Sequence, residues 1–303
     1  MPESERRRNC PMDNAWTTIS ERISEASGRP FTARARRDVG GGCINKATVL
    51  QDGMQSYFVK LNATDRVSMF EAEAEGLLEI AATHSVRVPQ PLCWGKTDSA
   101  AYLVLEYLEL AGTDPRSLEQ LGRQLARMHR ATQDRFGWRL DNTIGSTPQI
   151  NTPFSDWVEF WRQNRLGYQL ELAARRDFDL SRKAERLMAE LEEFFHSYRP
   201  VPSLLHGDLW GGNVGSIGHQ PVVFDPAVYY GDREADLAMT ELFGGFSTRF
   251  YQAYHEAWPL DAGYKIRKTL YNLYHVLNHF NLFGGGYGSQ AEHMIDSLLG
   301  ELR

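Results

Sequence analysis

The sequence has 303 residues, 42% of them hydrophobic and 24% charged, which allows one large domain or two smaller ones with a real core. Its net charge of −6 gives no basic field that would attract nucleic acid, and no apolar run reaches the roughly 18 residues that span a bilayer. Three cysteines without C-x-x-C spacing argue against a disulfide framework or a zinc site. We therefore expect a cytoplasmic protein that binds neither nucleic acid nor membranes.

The N-terminal half has the pattern of a small sheet. Residues 1–11 include an arginine cluster but no apolar segment of a secretory signal, and we expect them to form a disordered extension. FTARARRDV, KATVLQDG and QSYFVKLN then predict three antiparallel strands. SMFEAEAEGLLEIAATH (68–84) has helical periodicity, and VPQPLCWGKTD with AYLVLEYLEL (101–110) predicts a loop and two further strands.

After residue 110 the pattern becomes helical. Residues 117–131, 155–176 and 181–198 show helical periodicity, as does the chain from Glu234 onward, and a strand-and-turn island lies at 203–232. The sequence therefore predicts an α+β, bilobal fold. We expect an N-terminal nucleotide-binding lobe at 12–108 and a mainly helical catalytic and substrate lobe at 109–303, with a ligand in the cleft that such lobes commonly form.

The stretch LLHGDLWGGN contains the strongest chemical signal. Asp208 and Asn213 have the spacing of H-R-D-x-x-x-x-N, the catalytic loop of protein kinases, in which the aspartate accepts a proton and the asparagine ligates magnesium. Twelve residues later, Asp225 ends the apolar run PVVFDP, where a second metal ligand is expected. Either Asp208 or Asn213 alone would read as a turn cap, but the combined spacing favours catalysis.

Three neighbours of this motif have more than one interpretation. Trp210 lies before two glycines that give it little cover, so we predict a contact with a sugar or amine substrate rather than a core position. Asp232 and Asp236 precede or begin a predicted helix. Each could cap that helix or hold the catalytic loop.

The N-terminal half supplies candidates for nucleotide binding. Lys60 in the strand YFVKL corresponds to the lysine that holds nucleotide phosphates in kinases, although an exposed strand lysine is the plainer interpretation. Glu73 is its candidate ion-pair partner, with Glu71 and Glu75 as rivals on the same helix.

A glycine-rich turn lies between the first two predicted strands. Its backbone N–H groups could approach phosphates, although a plain hairpin turn would look the same; its residues are Gly40, Gly41, Gly42, Cys43, Ile44 and Asn45. No G-K-[ST] follows, which excludes a Walker A site. We expect a monomer that an oxidised Cys43 could link into a dimer.

His275 and His279 are four residues apart on a predicted helix, a spacing that could ligate metal. No acidic residue completes such a site. We therefore expect this helix to pack behind the substrate pocket instead.

Five blocks in order across residues 38–290 resemble the fructosamine/ketosamine-3-kinase family, a branch of the aminoglycoside-phosphotransferase-like, protein-kinase-like fold. They are GGGCIN, MFEAEAEGL, HGDLWGGN, FDPAVYYGDREADLAMTELFGGF and YNLYHVLNHFNLFGGGY. The resemblance implies phosphorylation of the 3-hydroxyl of free or protein-bound ketosamines with ATP and Mg²⁺, leading to deglycation.

Carried onto this sequence, the resemblance makes Asp208 the base, Asn213 and Asp225 metal ligands, Lys60 the phosphate anchor and Trp210 a substrate contact. It also implies that adenine binds to the backbone of Glu106, Tyr107 and Leu108. Two alternatives stay open: a phosphotransferase of the same fold acting on aminoglycosides or amino alcohols, and a non-catalytic nucleotide-binding scaffold.

Overall fold

The computed structural model describes residues 11–40, 44–176 and 181–302. Its contacts divide the chain into two compact units, one formed by residues 1–78 and 89–109 and the other by residues 79–88 and 110–303. Residues 79–88, which the sequence analysis assigns to the first lobe, group with the second unit. The expected extension 1–11 lies outside the described residues except for Pro11. No helix among the described residues is long and apolar enough to cross a membrane.

The first unit contains a five-stranded antiparallel sheet in the order β1-β2-β3-β5-β4. Its strands are β1 (Ala35–Val39), β2 (Lys46–Gln51), β3 (Ser56–Asn62), β4 (Pro91–Lys96) and β5 (Ala101–Glu106). The strands correspond to those predicted because alternating β-branched and aromatic residues suit a half-buried sheet surface. The sheet places Lys60 on central strand β3, between Ala47 of β2 and Leu103 of β5.

In the described part of the chain, two helices accompany this sheet. Helix α2 (Val67–Ala82) is the one that the sequence predicts, whereas α1 (Pro11–Ser27) was missed. Ala15, Ile19 and Ile23 are spaced four residues apart and lie on one helical face, where all three are buried. Ile19 and Ile23 belong to the same core cluster as Leu50 of β2 and Val59 of β3, so α1 completes the core of the unit.

The second unit is mainly helical. Its helices are α3 (Pro115–Met128), α4 (Trp157–Trp161), α5 (Tyr168–Ala174), α6 (Ser181–Ala189), α7 (Glu234–Leu242), α8 (Thr248–Ala257), α9 (Tyr264–Phe283) and α10 (Tyr287–Glu301). Helix α3 packs against α8, and α9 packs against α7 and α10. Asp114 caps α3 by accepting hydrogen bonds from the backbone N–H groups of Arg116 and Ser117.

Three two-stranded ladders accompany these helices: β6 (Asn142–Ile144) with β7 (Thr147–Gln149), β8 (Ser203–Leu205) with β11 (Tyr229–Gly231), and β9 (Val214–Ile217) with β10 (Gln220–Val223). The last four strands lie in the predicted strand-and-turn island.

The helix predicted for residues 155–176 is interrupted. A π-helical segment, Arg162–Gly167, separates α4 from α5. A Cβ atom on Gly167 would lie 2.2 Å from the carbonyl oxygen of Arg162, so glycine is required where the wider turn closes. The segment turns Arg165 fully into the interior, where its guanidinium donates to Ile150 O and Asn151 Oδ1. Residues 181–198 likewise form α6 and then a short 3₁₀ helix, Leu191–Phe195.

Candidate active site

The predicted catalytic loop, residues 206–213, follows β8, and Asp236 of α7 holds its backbone. Asp236 Oδ2 accepts the backbone N–H of His206 at 2.7 Å, and its Oδ1 accepts that of Gly207 at 2.8 Å. Gly207 has φ +82°, and a Cβ there would lie 2.0 Å from Ala227 O, so only glycine fits this turn. Of the two predicted roles for Asp236, the structure therefore confirms that it holds the loop.

Asp232 has the other predicted role. Its carboxylate accepts the backbone N–H of Glu234 at the beginning of α7, and the hydroxyls of Tyr198 and Tyr271 also donate to it. These are contacts of a helix cap buried in a polar network, not of a residue that holds the loop.

His206 joins the loop to the strand end that precedes Asp225. Its Nδ1 lies 3.3 Å from the backbone N–H of Asp208, which can only donate, and its Nε2 lies 3.1 Å from Phe224 O, which can only accept. These partners require a neutral imidazole with its proton on Nε2. Burial lowers the pKa of His206, which agrees with a neutral ring. Sequence reasoning gave this histidine no role, although it begins the H-G-D motif.

Asp208 and Asn213 lie in direct contact. The Nδ2 group of Asn213 donates to the backbone oxygen of Asp208 at 2.9 Å and to its Oδ2 at 3.1 Å. Burial, and after it the nearby charge of Asp225, raises the pKa of Asp208 to about 7, while the hydrogen bond from Asn213 opposes this shift. A carboxyl group with a pKa near neutrality is suited to accept a proton from an attacking hydroxyl.

The β9–β10 hairpin brings Asp225 to the same end as Asn213. Val214 pairs with Val223, and the N–H of Phe224 donates to Asn213 O at 3.1 Å. Asp225 is exposed and has φ +57°, a left-handed conformation that is uncommon for residues other than glycine and is further disfavoured before Pro226. Strained backbone of this kind is frequent at functional sites, and here it sets the direction of one carboxylate.

The oxygen atoms at this end suit a hard divalent cation. Because the amide nitrogen of Asn213 donates to Asp208, its amide oxygen is the atom that it can offer to a metal, beside the carboxylate of Asp225. Mg²⁺ typically binds one or two carboxylates together with substrate phosphates and water. The described residues contain no group of three or more His, Cys, Asp or Glu that could hold a metal by themselves. The donor set therefore fits Mg²⁺ bound with nucleotide better than a zinc centre.

Trp210 is an exposed residue of the 206–213 loop. Its side chain is 39% exposed, and the ring lies so close to Gly212 that an added Cβ would be 2.3 Å from it. Phe243 makes an edge contact at a centroid distance of 6.1 Å and is itself 4.9 Å from the ring of His279. An exposed indole agrees with the expectation that Trp210 is not a core residue, and its contact with substrate stays a prediction.

His275 and His279 lie one turn apart on α9. His279 Nδ1 donates to the backbone oxygen of His275 at 2.8 Å. His275 is buried, and burial, together with the nearby His279, lowers its pKa to about 3. The burial of His275 agrees with a packing role, and the position of α9 behind a substrate pocket stays a prediction.

In the first unit, Lys60 forms an ion pair with Glu73. The Nζ–Oε1 distance is 2.5 Å, and Lys60 is only 5% exposed. Lys60 is therefore not the exposed strand lysine of the plainer interpretation. Glu71, one of the two rival partners, is exposed. The ion pair is present as expected, and its role in nucleotide binding stays a prediction.

We expect Glu73→Gln to lower kcat/KM for ATP at least tenfold, because Lys60 would lose the charge that fixes its ammonium group. Loss of one partner from a buried pair also leaves an uncompensated charge, so the free energy of unfolding should fall by a few kcal/mol. Steady-state kinetics and chemical denaturation measure both effects. Glu71→Gln, on the same helix but exposed, is the matched control; equal kinetics in the two variants would contradict the assignment.

The predicted glycine-rich loop lies in the chain between β1 and β2. The pairing of these strands ends where Val39 of β1 lies opposite Ala47 of β2. Of the predicted phosphate loop, Gly41, Gly42 and Cys43 lie outside the described residues, and so does the redox hypothesis for Cys43. Gly40 and Ile44 border this stretch and are exposed. Asn45 Oδ1 accepts a hydrogen bond from Asn62 Nδ2 at 2.7 Å, which connects the residue before β2 to the last residue of β3.

The predicted hinge follows β5. Glu106 ends this strand opposite Tyr57, and its N–H donates to Gln90 O at 2.8 Å. The hydroxyl of Tyr107 accepts from Arg37 of β1 at 3.1 Å, and Leu108 lies beyond the strand. This is the strand-to-loop position expected for an adenine-binding hinge, and the binding itself stays a prediction.

The sequence profile described as fructosamine kinase matches residues 15–301, nearly the whole chain. The chain belongs to the fructosamine kinase family. A "Probable ketoamine kinase" of Synechocystis is 50% identical over 287 residues, covering 94% of this chain and 97% of the relative. The chloroplastic protein-ribulosamine 3-kinase of Arabidopsis thaliana is 46% identical, covering 88% of this chain and 82% of the relative.

Solved structures agree with this assignment. A crystal structure from Haemophilus somnus, assigned as a fructosamine-3-kinase, has a TM-score of 0.88 at 31% identity and covers 94% of this fructosamine kinase and 97% of that chain. The aminoglycoside phosphotransferase APH(4)-Ia has a TM-score of 0.62 at 15% identity, covering 92% of this chain and 98% of its own, which shows a shared fold. The predicted family and the protein-kinase-like fold class are confirmed, and membership implies an ATP-using phosphotransferase.

Proposed function

We propose that this fructosamine kinase transfers the γ-phosphoryl group of ATP, together with Mg²⁺, to the 3-hydroxyl of ketosamines. The observation that carries the proposal is the contact between Asp208 and Asn213, in which the Nδ2 group of Asn213 donates to the Asp208 carboxylate at 3.1 Å. The relatives named ketoamine kinase and protein-ribulosamine 3-kinase support the ketosamine as the acceptor.

In the proposed reaction, Asp208 accepts the proton of the 3-hydroxyl while the hydroxyl oxygen forms a bond to the γ-phosphorus. The bond from phosphorus to the β–γ bridging oxygen breaks, and the electron pair leaves with ADP. Asn213 fixes the direction of the Asp208 carboxylate, and Asp236 and His206 fix the backbone that bears it. These residues supply orientation, which is most of what a protein contributes to phosphoryl transfer.

The nucleotide phosphates need positive charge. We assign Asn213 and Asp225 to Mg²⁺, which when bound offsets negative charge on the phosphates. We assign Lys60 to the α- and β-phosphates, with Glu73 holding its ammonium group. Glu106, Tyr107 and Leu108 are assigned to adenine.

Trp210 is assigned to the acceptor. A ketosamine has a sugar part with apolar C–H faces and an amine that is cationic at neutral pH, and both interact favourably with an indole face. The exposure of Trp210 next to Asp208 gives such an acceptor access.

Two other functions have weaker support. The aminoglycoside phosphotransferase APH(4)-Ia is only 15% identical, so its likeness concerns the fold and says nothing about the acceptor. A scaffold without activity would not need Lys60, Asp208, Asn213 and Asp225 together, and the chain retains all four.

A panel of acceptors tests the proposal. The purified protein is incubated with ATP and Mg²⁺ and with fructosyl-lysine, ribulosyl-lysine, kanamycin or choline, and ADP and phosphorylated product are measured. We expect turnover with one or both ketosamines and none with kanamycin or choline. Turnover of kanamycin or choline alone would select the aminoglycoside or amino-alcohol alternative, and no turnover with any acceptor, despite ATP binding, would favour the scaffold.

A further inference from the structure

His129, at the end of α3, is fully buried and is not part of the assigned active site. Its Nε2 lies 3.2 Å from Asp236 Oδ2, the oxygen that also accepts the backbone N–H of His206. Its Nδ1 lies 2.8 Å from the hydroxyl of Tyr254 on α8. His129 therefore contacts the carboxylate that holds the catalytic loop and connects it to a separate helix.

The direction of each hydrogen bond follows from its partners. The Asp236 carboxylate already accepts two backbone N–H groups, so the nitrogen that faces it must be a donor. At the other end, Arg233 Nη1 donates to the Tyr254 hydroxyl at 3.1 Å, since a guanidinium has no acceptor. Tyr254 can then give its own hydrogen to His129 Nδ1. A series of hydrogen bonds therefore leads from Arg233, the first donor, through Tyr254 and His129 to Asp236, the final acceptor.

Further contacts hold Arg233, the first donor in this series of hydrogen bonds, in place. Its Nη1 and Nη2 also donate to the backbone oxygens of Trp258 and Pro259, at 3.1 and 2.6 Å. Its guanidinium lies 4.1 Å from the ring centre of Trp258. These contacts hold the first donor of the series in one place.

We propose that His129 is a positioning residue: as a neutral imidazole protonated on Nε2, it orients the Asp236 carboxylate and through it the backbone that carries Asp208. The proposal rests on the assigned catalytic role of Asp208. Without His129, one Asp236 oxygen would keep only its backbone partner, and the carboxylate could rotate. The loop would then hold Asp208 less often in the geometry for proton transfer, while nucleotide and acceptor contacts would remain.

The electrostatic surroundings agree with a neutral ring. Burial is the main cause that lowers the pKa of His129, and the positive charge of Arg233 adds to it, against the opposing effect of Asp236. Burial alone would raise the pKa of Asp236, but the hydrogen bond from His129 is the first of several interactions that bring it below its usual value. The pair is therefore a neutral donor and an ionised acceptor.

The first measurement needs no activity. In protein labelled with ¹⁵N-histidine, the resonances of His129, assigned by their loss in His129→Gln, should show a protonated Nε2 and an unprotonated Nδ1 at neutral pH. A proton on Nδ1, with or without one on Nε2, would overturn the proposal. This readout does not depend on turnover, so it tests the role of His129 alone. A lack of turnover in the acceptor panel would instead reject the proposed function.

The second measurement is kinetic, with fructosyl-lysine as acceptor. We expect His129→Phe, which keeps a ring but has no donor, to lower kcat at least tenfold with both KM values within about threefold of wild type. His129→Gln, whose amide can still donate to Asp236, should recover most of this loss. Tyr198→Phe is the matched control because it removes a hydrogen bond to neighbouring Asp232, and its kcat should stay within about threefold. Equal losses in His129→Phe and Tyr198→Phe, or no recovery in His129→Gln, would overturn the positioning role.

Discussion

Asp208→Asn will lower kcat by about 10²- to 10⁴-fold and leave nucleotide binding near the wild-type level, because a general base typically contributes this much. The asparagine side chain has nearly the same shape and can still accept from Asn213 Nδ2 through its amide oxygen. The loop should keep its conformation, since Asp236 and His206 hold it through backbone atoms. Only the ability to accept the hydroxyl proton is lost.

Single-turnover kinetics and calorimetric titration with ATP and Mg²⁺ separate the two effects. The expected result is a nucleotide Kd within a few-fold of wild type and a chemical step slowed by orders of magnitude. A variant that retains more than about a tenth of the wild-type kcat would show that Asp208 is not the base.

Asp225→Ala will lose Mg²⁺-dependent nucleotide binding together with turnover. Asp225 is an exposed carboxylate at the hairpin end that also bears Asn213, and its removal leaves the amide oxygen of Asn213 as the remaining assigned ligand. Altering even an outer partner of a metal commonly costs 10- to 100-fold in affinity or activity, so the loss of a direct ligand should cost at least about 100-fold in kcat/KM.

Comparison with Asp208→Asn distinguishes the loss of a metal ligand from the loss of a general base. The two substitutions each remove one carboxylate from neighbouring positions, but only Asp225→Ala should abolish the difference between ATP affinities measured with and without Mg²⁺. Asp225→Asn controls for the backbone, because asparagine tolerates the left-handed conformation at φ +57° better than alanine does. Wild-type Mg²⁺ dependence in both Asp225 variants would remove Asp225 from the metal site.

Local sequence patterns identified residues that the structure brings together in and beside the 206–213 loop, and their catalytic roles stay predictions. Asp208, Asn213 and Asp225 could be proposed as site residues because the D-x-x-x-x-N spacing and the strand-end aspartate lie within 18 residues that flank one hairpin. The hairpin then brings Asn213 beside Phe224 through short-range pairing alone. The five strands, and the position of Lys60 on one of them, could also be predicted from sequence because alternation and turn residues are local signals.

His129 was missed because its partner Asp236 is distant in sequence. His129 and Asp236 are 107 residues apart, so no spacing rule could join them. A signal existed in the helix itself, because His129 follows Leu121 and Leu125 at four-residue intervals and so falls on the apolar face of α3. A histidine on an apolar face must find a polar partner, but the sequence does not say which one.

Helix α1 and the π-helical segment were missed for other reasons. The buried face of α1 is narrow, with Ala15, Ile19 and Ile23 along it, so its periodicity is a weaker signal than that of α3. The π-helical turn depends on the interior position of Arg165 and on the close approach of Gly167 to the carbonyl oxygen of Arg162, which are consequences of tertiary packing. Periodicity predicts one helix over that stretch and cannot detect one extra residue in a turn.

The fate of the product tests the 3-kinase assignment most directly. In a ketosamine the carbonyl is at C2 and the amine at C1, so the compound can tautomerise to a 1,2-enaminol in which the C3 oxygen is allylic. A hydroxyl leaves poorly from that position, but a phosphate leaves readily, and hydrolysis of the resulting compound frees the amine. The enzyme would then reverse glycation without breaking a C–N bond itself.

The measurement is a time course by phosphorus NMR and amine analysis after fructosyl-lysine is incubated with ATP, Mg²⁺ and the protein. We expect a phosphorylated intermediate whose formation rate scales with enzyme concentration. Free lysine and inorganic phosphate should then appear more slowly, at a rate that does not change with enzyme concentration. A phosphorylated product that stays intact at neutral pH would place the phosphate on another hydroxyl and contradict the 3-kinase assignment, even with Asp208 established as the base.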